Sequence, residues 1–184
     1  MGYPTETVYG LAACALDGKA VEKLCRLKRR PTGKAISVLV SDRDMLRGLV
    51  GEVPKAGLRL MERFWPGPLT LVFDAAPGLP SGLLGHGGSI AVRISSNPIA
   101  TALVAQCGFP ITSSSANRSG RPAARSAEEV KRVFGDGVDL VLDGGPSGSD
   151  VPSTVARVSA DGVRVLREGR ISSEEVQRAV EGAP

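Results

Sequence analysis

SIAVRISSNPIATALVAQCGFPITSSSANRSGR, residues Ser89–Arg121, sets the fold class. SIAVRI (Ser89–Ile94) is an apolar run of strand length with one charge, Arg93, near its exit. Asn97-Pro98 then caps a helix to about Gln106, with proline in the favoured first turn. Phe109–Thr112 returns as a short strand. Strand, capped helix and strand in succession make the repeating unit of an α/β domain. The loop that follows, Ser113–Arg121, holds four hydroxyls, one carboxamide, two guanidiniums and a glycine in nine residues. Turned-in backbone N–H groups, hydroxyls and the charges of Arg118 and Arg121 suit a phosphate or a carboxylate. The plainer reading is a solvated connector after a strand, which most Ser/Asn/Gly loops are.

The pattern continues on both sides. Tyr3–Leu11 starts as a strand and then turns. Asp17 N-caps a helix to about Arg29, with Val21, Leu24, Cys25 and Lys28 on one face, and Pro31 is the expected stop. ISVLV (Ile36–Val40) is a buried strand. Asp42 opens a second helix carrying Met45, Leu46 and Leu49. A third, about Lys55–Phe64, aligns Leu58, Met61 and Phe64. WPGPLTLVF turns into a strand at Leu69–Phe73. Residues 75–88, rich in Gly and Pro, read as a long mobile loop. Ser126-x-x-Glu129 and Ser172-x-x-Glu175 are capping boxes for helices carrying Val130, Val133 and Phe134, and Val176, Ala179 and Val180. Asp139–Leu142 reads as a strand ending in the DGGP turn. Thr154–Val158 and Val163–Arg167 flank Asp161-Gly162, a hairpin signal. The whole predicts a single α/β domain with a mixed sheet, without internal repeats or a domain linker.

Composition narrows the function classes. The 184 residues suffice for one domain with an ample core, and 42% hydrophobic with 23% charged residues is an ordinary globular balance. Four Phe, two Tyr and one Trp are too few for the stacking platforms of single-strand nucleic-acid binders. A net charge of +4 permits an anionic ligand or RNA without demanding either. Cys14, Cys25 and Cys107 form no CxxC pair, and His86 is the only histidine, which leaves no His/Cys zinc set. Reduced thiols, no targeting segment and no apolar run of membrane length give a cytoplasmic expectation, with no membrane partner.

Several familiar machines are missing. There is no GxxxxGK[ST] phosphate loop and no GxGxxG after a strand. Gly85-His86-Gly87-Gly88 is not accompanied by a GxSxG nucleophile elbow. Asp74, Asp143 and Asp150 sit near turns, where aspartate is common for backbone reasons. What remains is cations and hydroxyls at segment ends. Arg26, Lys28, Arg29, Arg30 and Lys34 cluster around the end of the first helix, where the helix dipole alone favours cations. Arg93, in an otherwise apolar strand, needs a partner, and a carboxylate held by two hydrogen bonds is the natural one. Ser153-Thr154 and Arg167 end a loop and a hairpin, where scaffolds present groups to ligands.

In order along the chain stand PTETVYGL (Pro4–Leu11), LKRRP (Leu27–Pro31), FWPGPLTL (Phe64–Leu71), AVRI (Ala91–Ile94), SANRSGRP (Ser115–Pro122), LDGGP (Leu142–Pro146) and Ser153-Thr154. Over nearly its whole length, residues 1–184, the chain resembles the YrdC-domain family, and within it the stand-alone threonylcarbamoyl-adenylate synthases. The resemblance implies a twisted mixed sheet with flanking helices and a large, positively charged cleft. It implies a reaction in which L-threonine, bicarbonate or CO2, and ATP give L-threonylcarbamoyl-AMP and pyrophosphate, with Mg²⁺ on the ATP phosphates and no metal ligand from the protein. A downstream transferase complex would then modify tRNA beside the anticodon.

Carried over by position, the family's threonine contacts fall on Thr7, Arg93, Ser113 and Ser153. Its nucleotide contacts fall on Arg30, Lys34, Ser89, Ser115 and Arg167, with Lys28 and Asn117 beside them. The chain departs from the family at three places. It starts almost on PTET, where relatives have a helix and the beginning of a strand, so its N-terminus is short. Ala35 stands where many relatives have proline, and Ala123 replaces a frequent serine. A water-labile intermediate calls for a lid, for which residues 75–88 or 144–152 are the candidates. Two alternatives stand beside this reading. One is a YrdC-like carbamoyltransferase, which usually carries further domains for which this chain has no room. The other is an RNA-binding module with weak tRNA affinity.

Overall fold

Strand, helix and strand alternate through most of the chain in the computed structural model, which describes residues 1–31, 34–149 and 151–181. The strands are β1 (Gly2–Tyr3), β2 (Gly10–Leu11), β3 (Val38–Leu39), β4 (Leu69–Asp74), β5 (Ser89–Arg93), β6 (Ile111–Thr112), β7 (Ser114–Ser115), β8 (Thr154–Ser159) and β9 (Gly162–Arg167). The helices are α1 (Gly18–Lys28), α2 (Arg43–Arg47), α3 (Lys55–Phe64), α4 (Pro98–Cys107), α5 (Ala127–Phe134) and α6 (Ser173–Glu181).

Six strands form one mixed sheet in the order β6–β3–β5–β4–β8–β9, with β3–β5 and β4–β8 parallel and the other pairs antiparallel. Its two faces follow from the strand period of two. Val38, Val92 and Leu71 share register and point into the main core, which Val21 and Leu24 of α1, Leu60 and Met61 of α3 and Val176 of α6 complete. Leu39 is in register with Arg93 and with Ile111, so these three share the opposite face. There Leu39 and Ile111 pack with Ala100 and Val104 of α4 and with Tyr3. Arg93 therefore sits on the face that the main core does not fill.

A second, three-stranded antiparallel sheet, β1–β2–β7, was not legible as such. Tyr3–Leu11 starts as a strand and turns, as expected, and then closes with a second short strand that was not foreseen. Pro4 has no N–H to give, and the Thr5 and Thr7 hydroxyls bond each other at 3.0 Å while Thr5 donates to the Val8 carbonyl at 2.7 Å. The chain doubles back, and Gly2–Tyr3 pairs with Gly10–Leu11. Gly10 must be glycine, because a Cβ there would lie 2.9 Å from the Tyr3 ring.

The caps hold as read: Asp17, Asn97 and Ser172 each accept backbone N–H groups of the helix that follows. Other expectations shift. Helix α1 ends at Arg29, as expected, but the stop is made before Pro31, by the left-handed conformation of Arg29 (φ 52°), which lets Arg30 N donate to Cys25 O at 2.9 Å. Leu58 of α3 faces solvent, and Gly57, Leu60 and Met61 carry the buried stripe. Asp139–Leu142 makes only a bridge from Val141 to Gly2. Residues 75–88 are tied down rather than loose. Leu83 is fully buried in a short 3-10 turn, and Ile36 N donates to Gly82 O at 3.1 Å. Asp150, and with it part of the 144–152 segment, lies outside the described residues.

Candidate active site

Between the small sheet and the exposed face of the large one lies a cavity of about 380 Å³, a size suited to a small-molecule ligand. Ten of the eleven residues expected to touch ligand line it: Thr7, Lys28, Arg30, Lys34, Arg93, Ser113, Ser115, Asn117, Ser153 and Arg167. Ser89 does not. It opens β5, four residues before Arg93 on the same face and so about 13 Å away, and its hydroxyl donates to the His86 carbonyl at 3.0 Å. Arg118, Arg121 and His86 are not among the lining residues either, nor is any of residues 75–88. The lining carries five cationic side chains and no carboxylate among the described residues.

The lining residues fall into bonded groups. In the first, antiparallel register sets Leu71 of β4 opposite Val92 of β5, and their neighbours Thr70 and Arg93 both line the cavity. The Thr70 and Ser153 hydroxyls bond at 3.0 Å, and Arg167 donates to the Ser153 carbonyl at 2.7 Å. Burial pushes the Arg167 guanidinium below its ordinary range, and nearby Arg93 pushes it further. Arg93 itself is 5% exposed. Its Nη1 donates to Glu6 Oε1 at 2.6 Å, and the Ser95 hydroxyl donates to Glu6 Oε2. The carboxylate that the lone arginine required is thus supplied in part by the protein, from the loop of PTET. Glu6 backs the guanidinium and is not among the lining residues, while Arg93 is.

In the second group Lys28, 1% exposed, ends α1. Its ammonium donates to the carbonyls of Ser115 and Asn117 and to Asn117 Oδ1, the last two at 2.8 and 3.2 Å. Burial, then the Arg30 charge, pushes Lys28 down to about 7. In the third, Arg30 turns back on its own loop, donating from Nε to Lys34 O at 2.7 Å and from Nη2 to Ala35 O. The Ser113 loop is fixed beside it, where Ser113 N donates to Ser37 O at 2.6 Å and the Ser37 hydroxyl to Ser113 O.

Tyr9, also missed by the sequence reading, closes the wall. Its hydroxyl donates to Gly145 O at 2.6 Å and accepts from Gly144 N at 3.2 Å, tying PTETVYG to DGGP. The two motifs, far apart in sequence, are thus hydrogen-bond partners in the structure.

Residues 1–169 match the family model for Sua5, YciO and YrdC proteins, described as telomere recombination. The chain belongs to the Sua5/YciO/YrdC family. Among curated relatives it is 38% identical over 98% of its length to the threonylcarbamoyl-AMP synthase of Bacillus subtilis, and 36% identical over 98% to that of Pyrococcus abyssi. It spans about half of each, 52% and 53%. The crystal structure of P. abyssi Sua5 complexed with L-threonine superposes with a TM-score of 0.92 at 36% identity, covering 97% of this chain and 52% of that one. Escherichia coli YciO superposes at 0.84 with 32% identity, over 95% of this chain and 85% of that one. The family fold, with its mixed six-stranded sheet and flanking helices, is therefore the fold of this chain. No helix among the described residues is long and apolar enough to cross a membrane.

Proposed function

We propose that this chain makes L-threonylcarbamoyl-AMP and pyrophosphate from L-threonine, bicarbonate and ATP, as a nucleotidyltransferase. The observation that carries the reading is the joining of two kinds of site in one cavity. A buried guanidinium flanked by hydroxyls (Arg93, Thr70, Ser153) suits an amino acid with a carboxylate and a hydroxyl. Arg30 and Lys34 beside the Ser115–Asn117 loop suit a nucleotide. The relatives named for this product, and the threonine complex of one of them, support the same assignment.

In this reading Arg93 takes the threonine carboxylate on the side away from Glu6, with Thr7, Ser113 and Ser153 near the hydroxyl. Ser115, Asn117, Arg30 and Lys34 hold the nucleotide. The amine of threonine captures CO2 derived from bicarbonate. A carbamate oxygen then forms a bond to the α-phosphorus as the bond from that phosphorus to the pyrophosphate oxygen breaks. Arg167, bonded to Ser153, sits where the two substrates meet and neutralises charge there. Positioning and charge supply the acceleration. Mg²⁺ enters as part of the ATP substrate, on the phosphates. The product passes to a transferase that modifies tRNA. The free thiols of Cys14, Cys25 and Cys107 fit a cytoplasmic setting.

The test is pyrophosphate release from MgATP. It should require both L-threonine and bicarbonate. Equal turnover on carbamoyl phosphate without bicarbonate would place the chain among the carbamoyltransferases instead.

A further inference from the structure

Lys28 lines the cavity, yet its ammonium has no proton left to offer a ligand. An ammonium carries three N–H donors, and three oxygens receive them: Ser115 O, Asn117 O and Asn117 Oδ1. All three belong to one loop, and they converge on one buried point. We propose that Lys28 is a positioning residue that clamps the Ser115–Asn117 loop to the end of α1, and so shapes the nucleotide pocket without touching the nucleotide's phosphates. This rests on the nucleotide reading given above.

The surrounding bonds define what the clamp holds. Asn117 Oδ1 also accepts from the Ser115 hydroxyl at 2.7 Å, and Asn117 Nδ2 donates to Arg121 O at 2.5 Å. Ser119 N donates to the Lys28 carbonyl at 2.9 Å, so the lysine holds the loop through both its backbone and its side chain. Without the ammonium, three partly buried oxygens would face one another; Asn117 N still serves Ser115 O and the Ser115 hydroxyl still serves Asn117 Oδ1, but Asn117 O loses the donor it has. A partly buried acceptor left unpaired beside two others is costly. The loop would open to reach water, and the Ser115 hydroxyl and the Asn117 amide would leave their places together. A phosphate ligand behaves differently: its removal weakens only what carries the phosphates.

Adenosine and ATP titrated into the Lys28→Met variant separate the two roles. The clamp requires both affinities to fall by a similar factor, about 10-fold or more, with their ratio kept within about threefold of wild type. Loss of ATP affinity with adenosine binding intact overturns the clamp and makes Lys28 a phosphate ligand. A change in neither overturns it as well. Should the methionine variant not fold, Lys28→Gln, which keeps two N–H donors, replaces it. Failure of both to fold also refutes the proposal, since a clamp acts on one loop while Val21 and Leu24 still hold α1 to the core. Amide exchange at Asn117 and Ser119 needs no ligand, and the clamp requires it to rise in the variant. If wild-type protein binds neither adenosine nor ATP, the nucleotide reading fails while this exchange readout still decides the clamp.

Discussion

Replacing Arg93 by alanine should damage the fold as well as the site, and the pairing with Glu6 sets the size of the damage. The two side chains are 6% and 15% exposed, with nitrogen and oxygen 2.6 Å apart. At an effective dielectric of about 20 that separation corresponds to roughly 6 kcal/mol of gross attraction, most of it offset by the cost of drying both charges. Removing one partner strands the other, at about 3–5 kcal/mol. For a chain of this size that is a fall in Tm on the order of 6–20 °C. Glu6→Gln with Arg93→Ala strands no charge, so the double variant should be more stable than the sum of the two single losses implies, by about 1.5 kcal/mol or more. Urea unfolding of the wild type and the three variants, with unchanged m-values, gives the cycle. Threonine titrated into the double variant should bind about 10- to 150-fold more weakly, with ATP affinity kept. Additivity within about 0.5 kcal/mol, or unchanged threonine affinity, would refute the reasoning.

Three further outcomes follow. Arg29→Gly should stabilise the protein by about 0.5–1 kcal/mol in thermal melts, because a left-handed position ceases to hold a side chain that resists it; a fall in stability would show that the Arg29 side chain matters more than its backbone. Leu83→Ala should cost about 2–5 kcal/mol, since the side chain is fully buried, and a near-neutral result would return residues 75–88 to a mobile role. Lys28, pushed down to about 7 from 10.5, binds fewer protons folded than unfolded between those values. Stability of wild type relative to Lys28→Met should therefore rise with pH above about 7, by at most about 1.4 kcal/mol per pH unit, and a fall over pH 7–9 would contradict the shift.

Much of this was legible because it is local. Asp17, Asn97 and Ser172 cap helices through neighbours two or three residues away, and the Asp161-Gly162 hairpin declares itself the same way. Arg93 stood out as a charge among apolar residues of one strand. Glu6 did not, because its partner lies 87 positions away and glutamate in a polar loop looks ordinary. The burial of Lys28 could be read from its helical face with Val21 and Leu24, but the oxygens it serves lie equally far along the chain. β1, β2 and β7 have two residues each, too few for any period to show. In residues 75–88 glycine and proline suggested mobility, while Leu79 and Leu83 were the overlooked signal of a packed segment. Leu58 followed the helical period but fell on its outer side.

The central claim, that one cavity joins a threonine-derived carbamate to AMP, is tested most directly with ¹³C-labelled bicarbonate, L-threonine and MgATP. The account requires a product containing threonine and AMP, with one ¹³C carbon formed for each pyrophosphate released. Pyrophosphate release without label in the product, or release that does not need threonine, would contradict it.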